Sequence, residues 1–338
     1  MIPRTLPHWQ HLLAGGITSS DELTGLLNLP PGSAGEASAA KQAQREFPLR
    51  VPRGFVERMV PGDAEDPLLR QVLATAHETV LEPGFSSDPV GEAHVAPAPG
   101  LLHKYHGRVL LVVTGACAIH CRYCFRRHFP YGEHHPGREG WSEALAYISS
   151  RTEVEEVILS GGDPLAASDQ RLADLTQAIA AIPHVRRLRV HTRMPIVLPE
   201  RINDDLLAWL TATRLEPVVV VHCNHAREIN ESVRAALGRL RERAIPVLNQ
   251  AVLLRGINDT VEALAELNRT LFTAGVLPYY LHLLDPVQGA AHFEVPAATA
   301  RRLVQRLSEL LPGYLLPRLV CEVEGAPAKL PVTPHASI

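Results

Sequence analysis

Six apolar, β-branched runs alternate with six helix-like segments over the last two thirds of the chain, and this alternation limits the fold more than any other feature. The runs lie at 108–114, 154–160, 186–192, 217–222, 246–254 and 278–284; the helix-like segments lie at 141–151, 168–181, 202–214, 231–243, 260–274 and 296–311. A repeat of roughly 30 residues is that of a βα unit. Consecutive units build a parallel sheet, either a barrel or an open doubly wound sheet. The polar residues at the run ends separate the two. A cysteine loop follows the first run and Gly161-Gly162-Asp163-Pro164 the second, while His191 and Arg193 lie at the end of the third. His222 and Asn224 close the fourth, Gln250 sits within the fifth with Arg255 just after it, and Asp285 closes the sixth. Barrels build their sites at the C-terminal ends of several strands, whereas a doubly wound sheet concentrates its site at one switch point. Polar loop starts account for some of these positions but not for all of them together, so an α/β barrel is expected.

The cysteine loop holds Cys117, Cys121 and Cys124, three of the five cysteines, spaced C-x3-C-x2-C directly after the run Val109 to Val113. Three thiolates on so short a loop can converge on one soft metal centre. A structural zinc site normally closes with four ligands, and His120 or His128 would complete one. A 4Fe-4S cluster held by three cysteines instead leaves one iron open. A disulfide with a spare thiol is the weaker alternative.

The length of 338 residues and 46% hydrophobic content suit one large domain, or a large domain with a smaller partner. A net charge of -3 offers no basic field for nucleic acid or an anionic membrane. No apolar run reaches membrane-spanning length and the N-terminal residues lack a signal-peptide core, so a cytoplasmic protein with free thiols is expected, Cys223 and Cys321 included. Residues 1–100 read as a helical and loop-rich lead-in. Ser19 to Glu22 has a capping-box pattern, Asp66-Pro67 reads as another helix start, and residues 29–40 read as a turn or helix start. The Pro- and Gly-rich stretch 83–100 reads as a linker crossing the surface. Residues 101–312 form the barrel in this reading, and 313–338 a C-terminal segment. A lysine near a C-terminus is usually solvated. Lys329, flanked by Gly325, Pro327 and Pro331, stands in a segment able to fold back over a barrel mouth, where a lysine can form a Schiff base with pyridoxal 5'-phosphate (PLP).

The cysteine spacing, with Tyr123 before the last cysteine, resembles that of the radical S-adenosylmethionine (radical SAM) enzymes. In these a 4Fe-4S cluster held by three cysteines binds SAM through its fourth iron and cleaves it to a deoxyadenosyl radical. Their fold is a partial (β/α)6 barrel, which six units match. The stretches at 103–110, 117–127, 159–165, 222–225, 249–258 and 279–293, with Lys329, are collinear with the lysine 2,3-aminomutase family within that group.

That resemblance implies a site, residue by residue. Cys117, Cys121 and Cys124 hold the cluster. Tyr123, Ser160, Gly161, Gly162, Asp163, His222 and Gln250 fall among SAM contacts, and the Gly-Gly-acid turn, otherwise a common strand-to-helix turn, meets the SAM amino group. Lys329 corresponds to the PLP lysine, and Lys104, Tyr105 and Arg108 fall where the family binds that cofactor. Arg126 matches the arginine that pairs with the substrate carboxylate, as a planar guanidinium fork suits. Asp285 and Glu322 match two carboxylates that hold the ε-ammonium of lysine. Lys104 replaces a usual arginine, Glu322 a usual aspartate, and residues 324–328 a glycine run. With the short C-terminus, these features look most like the branch that makes (R)-β-lysine for modification of elongation factor P. An isomerase acting on L-lysine and fed by an external one-electron reductant is implied. Mutases for other amino acids, a radical SAM enzyme without PLP and a zinc-binding protein are the alternatives; Asp285 and Glu322 would repel the side chain of glutamate.

Overall fold

The computed structural model describes residues 7–30, 38–132 and 140–333. Residues 1–6 and much of the turn or helix start expected at 29–40 lie outside the described residues. Nine strands pair in chain order in one sheet: β1 Leu101–Tyr105, β2 Arg108–Thr114, β3 Glu156–Gly161, β4 Arg187–Thr192, β5 Glu216–Val221, β6 Val247–Val252, β7 Leu277–His282, β8 Arg318–Cys321 and β9 Leu330–Pro331. Strands β2 to β8 run parallel, while β1 and β9 add antiparallel edges. Consecutive order without reversal is the winding of a barrel, and with edge strands at both ends it is a partial one.

Helices α1 Ser142–Ser149, α2 Asp169–Ala180, α3 Asp204–Thr211, α4 Glu231–Glu242, α5 Val261–Thr273 and α6 Ala297–Leu310 return the chain between the parallel strands. Their starts follow local chemistry. Ser168, Asn203, Asn230 and Thr260 each accept a backbone N–H of the first turn, leaving fewer orphan donors. Burial alternates along β4, with Leu188, Val190 and Thr192 buried and Arg187, Arg189 and His191 on the concave side. The expected six units are present, and three short strands, β1, β8 and β9, join them.

The lead-in departs from expectation in two places. Ser19 does cap helix Ser20–Leu26, but Asp66 starts only a 3-10 turn, Leu69–Gln71. Its carboxylate accepts from Val60, Leu68 and Leu69 N–H groups and pairs with Arg227, so it fixes a turn and ties it to the barrel. The stretch 83–100 crosses the surface as expected over much of its length, but it is tied to the barrel along the way. Val90 and Glu92 are buried, and Ser86 exchanges backbone hydrogen bonds with Pro286 and Gln288. One apolar core runs from Trp9, Ile17 and Phe55 through Leu111, Leu159 and Val190 to Leu319. No described helix is long and apolar enough to cross a membrane.

Candidate active site

The cysteine loop leaves β2 at Thr114 and is clamped by β3. Gly161 has φ +129°, and a Cβ there would lie 2.4 Å from Thr114 O; one on Gly162 would lie 2.6 Å from Ala116 O. The two glycines therefore let the turn after β3 press on the backbone of the cysteine loop, with Gly162 N and Asp163 N donating to Thr114 O and Ala116 O. Asp163 accepts from Leu165 N, Thr192 Oγ1, Arg193 N and Met194 N. Burial pushes its carboxyl up to about 6 despite those donors. The acid of this turn joins β3 to β4.

Two arginines of the loop are anchored in the lead-in. Arg122, fully buried, forks onto Glu78 and reaches Phe47 O and Ala43 O; Arg127 pairs with the same Glu78 at 2.8 Å. Arg193, also buried, donates to Cys121 Sγ at 2.7 Å and to Gln71 and Glu228. Tyr123 hydroxyl accepts from Asn224 at 2.6 Å. Burial raises the Cys117 thiol well above its usual range and the Cys124 thiol to about 12. His120 is engaged by Pro48 O at 2.7 Å and His128 by Gln288 O at 3.1 Å, so neither histidine turns its bonded nitrogen to the thiols. Among the described residues no three His, Cys, Asp or Glu side chains converge on a single-ion site. Cluster thiolates each bond a different iron and need no such convergence.

The concave face above the loop carries three imidazoles. His222 meets Gln250 at 2.9 Å, and His191 packs edge-on to His222. Burial, aided by Arg193, Arg126 and Lys329, lowers His222 to about 3; burial and Lys329 lower His282 to about 3; burial and His222 lower His191 well below its usual range. All three are neutral at physiological pH. His191 Nε2 and His282 Nε2 are buried without a partner among the described residues.

Charge gathers where the two sheet edges face each other. Glu322, just past β8, accepts from Lys104 Nζ and Tyr105 hydroxyl on β1, both at 2.9 Å, and from Lys329 just before β9. Burial opposes its ionisation, but Lys329 and Lys104 prevail and hold Glu322 down to about 2. Asp285 shows the reverse: burial and the Glu322 charge push it up to about 7 against both lysines. Arg108 stacks over Tyr105, 4.7 Å from the ring centroid. Arg126 is only 6% exposed and forks onto Glu92, with Nη1 donating to Ser160 Oγ and Gly161 O. A cleft of about 130 Å³ borders both Glu92 and Arg126.

Lys104, Tyr105, Glu322, Lys329 and Asp285 thus lie together, His222 and Gln250 share one wall, and Arg126 meets Ser160 and Gly161. Asn224 belonged to the strand-end pattern, but the sequence reading passed over Gln71, Glu78, Glu92 and Glu228. Only Glu78 carried a local signal, the Thr75 capping box.

The Radical SAM superfamily profile matches residues 111–267. The chain is 49% identical to L-lysine 2,3-aminomutase of Escherichia coli (strain K12) over 96% of its length and 94% of that protein. It is 44% identical to the protein of that name from Haemophilus influenzae over 95% and 94%. Among solved structures, Streptococcus suis SuiB bound to S-adenosylmethionine shares the fold with TM-score 0.50 and 13% identity, over 65% of this chain and 51% of that one. Relatedness this close over nearly the whole of both chains makes the protein a member of the L-lysine 2,3-aminomutase family, on a radical SAM barrel.

Proposed function

We propose that the protein is a radical SAM, PLP-dependent isomerase that converts L-α-lysine to (R)-β-lysine for modification of elongation factor P. The carrying observation is the position of Lys329, at the edge of the barrel mouth on Glu322 and within the electrostatic reach of Asp285, His222 and His282.

The residues fit the groups this chemistry needs. Cys117, Cys121 and Cys124 share one loop, and Arg193 already donates to one sulfur. Buried cations beside thiolates favour an anionic cluster. The unpartnered nitrogens of His191 and His282, with His222 and Gln250 beside them, offer polar contacts to SAM, while Tyr123 and the 160–163 turn, whose polar groups are bonded within the protein, shape the wall of that site. Lys329 offers its amine to PLP, with Lys104, Tyr105 and Arg108 beside it for the phosphate. When bound, the cluster with SAM would supply a carbon radical that takes a hydrogen from C3 and gives it back at C2 after nitrogen has moved from C2 to C3, and PLP would supply the π system that assists that migration.

The protein's part is to hold lysine at both ends. Arg126 takes the carboxylate, and Glu322 with Asp285 takes the ε-ammonium. An arriving ammonium lowers the raised Asp285 carboxyl, so ionisation of Asp285 accompanies substrate entry. Neutral imidazoles on the concave wall leave this charge pattern undisturbed. Fixing both ends sets C3 in place.

The test is anaerobic reconstitution with iron, sulfide, PLP, SAM and a one-electron reductant, followed by chiral analysis of the product from L-lysine. (R)-β-lysine, dependent on SAM and PLP together, is expected. SAM cleavage without β-lysine would point to a radical SAM reaction of another kind.

A further inference from the structure

A guanidinium has five N–H donors, and four of those on Arg126 are committed. Glu92 takes the Nε–Nη2 edge through two charge-assisted bonds of 2.7 and 2.6 Å, while Nη1 reaches only the neutral acceptors Ser160 Oγ and Gly161 O at 3.1 and 3.2 Å. The two sides are unequal. A carboxylate arriving at the end of β3 displaces the neutral pair far more readily than it displaces Glu92.

Glu92 is itself held in place. Its N–H donates to Asp88 at 3.0 Å, and the preceding Val90 carbonyl accepts from Lys104 Nζ at 3.0 Å. Gly91 has φ +66°, and a Cβ there would lie 2.6 Å from the Glu324 side chain, so the turn leans on the hairpin that carries Lys329. Phe125 and Phe129 lie 5.0 and 5.7 Å from the Arg126 guanidinium and bound its remaining surface.

We propose that Glu92 is a positioning residue for carboxylate recognition: by holding the Nε–Nη2 edge of Arg126 it turns Nη1 toward the end of β3, where the substrate carboxylate replaces Ser160 and Gly161 as acceptor. This rests on the reading that Arg126 binds that carboxylate. Glu92 acts through Arg126 and touches no reacting atom.

Glu92→Asp in the reconstituted holoenzyme is the informative variant, because it keeps the charge and shortens the reach by one methylene. Affinity is read from the shift of the visible PLP band on titration with L-lysine and, separately, with L-lysinamide, which lacks the carboxylate. L-lysine affinity should fall by about tenfold or more, the loss of one charge-assisted hydrogen bond, and its KM should rise alike. L-lysinamide affinity and kcat at saturating lysine should stay near wild type. In an Arg126→Lys background the same change should leave the lysine to lysinamide ratio unmoved. Equal losses for both ligands would show a merely structural role and overturn the proposal, as would no loss for either. If Arg126→Lys alone left the ratio at its wild-type value, the carboxylate reading of Arg126 would fail and this inference with it. A ratio sensitive to Arg126 but not to Glu92 would remove Glu92 alone.

Discussion

Lys329 donates to Glu322 across the hairpin that joins β8 to β9, and the same carboxylate accepts from Lys104 on β1. Strands β1 and β9 are the two edges of the sheet, so this charge cluster spans the gap that backbone pairing leaves open. A lysine that would otherwise be solvated is thereby drawn to the barrel mouth. The side chains of Lys329 and Glu322 are 23% and 15% exposed, which makes the pair largely desolvated and sensitive to loss of either partner.

Asp285 should trade stability for function. Its folded-state carboxyl sits at about 7, above the ordinary 3.8, so the fold prefers the protonated form. That preference is fully present in acid below the unfolded value and is lost as pH rises through 7. Ligand-free Asp285→Asn should therefore gain on wild type between pH 5 and pH 8, by about 2–4 kcal/mol at the upper end. Lysine turnover should fall by about 3–5 kcal/mol in kcat/KM, since an enclosed ammonium loses a charged partner. Urea denaturation at both pH values, with steady-state kinetics, checks the pair; a loss of stability at pH 8 would mean the fold needs the charge.

Glu78 should be a structural keystone of the cysteine loop. It neutralises two buried arginines, Arg122 and Arg127. Glu78→Ala should cost about 3–5 kcal/mol in chemical denaturation, the usual result of leaving buried charge unpaired. Iron per chain after reconstitution should fall with it, because the loop loses its tie to the lead-in.

Replacing Cys117, Cys121 and Cys124 together by alanine should leave the fold intact and abolish iron binding and SAM cleavage. The three thiols are small and half-buried on one loop that keeps its own ties through Arg122 and Arg127 to Glu78, so their loss opens no large cavity. Iron and labile sulfide analysis reads the outcome, and wild-type iron content would assign the metal to other residues.

The barrel was legible because its evidence is local. β-branched runs, caps such as Ser168 and Thr260, and polar residues at successive strand ends all lie where the fold uses them. The cysteine motif was legible for the same reason. Glu92 was not, because its partner Arg126 stands 34 residues away and a Pro- and Gly-rich context signals turns whether or not they are buried. Glu78 and Arg122, 44 residues apart, are similar. Asp66 carried a valid helix-start pattern, but its carboxylate went to a turn and to Arg227. Strands β8 and β9 have four and two residues, too few for a period to show. In the Gly161-Gly162 turn the need for glycine was visible, but the backbone that approaches is the protein's own cysteine loop.

The proposed aminomutase chemistry rests most directly on Lys329. Borohydride reduction of the PLP-loaded protein, followed by peptide mapping, should place the cofactor on the peptide containing Lys329. Lys329→Ala should lose the visible PLP band and β-lysine formation while keeping its iron, since the cysteine loop follows β2 and Lys329 precedes β9. Label on a different lysine, or full mutase activity in the alanine variant, would contradict the proposed aminomutase chemistry and leave a radical SAM barrel with another reaction.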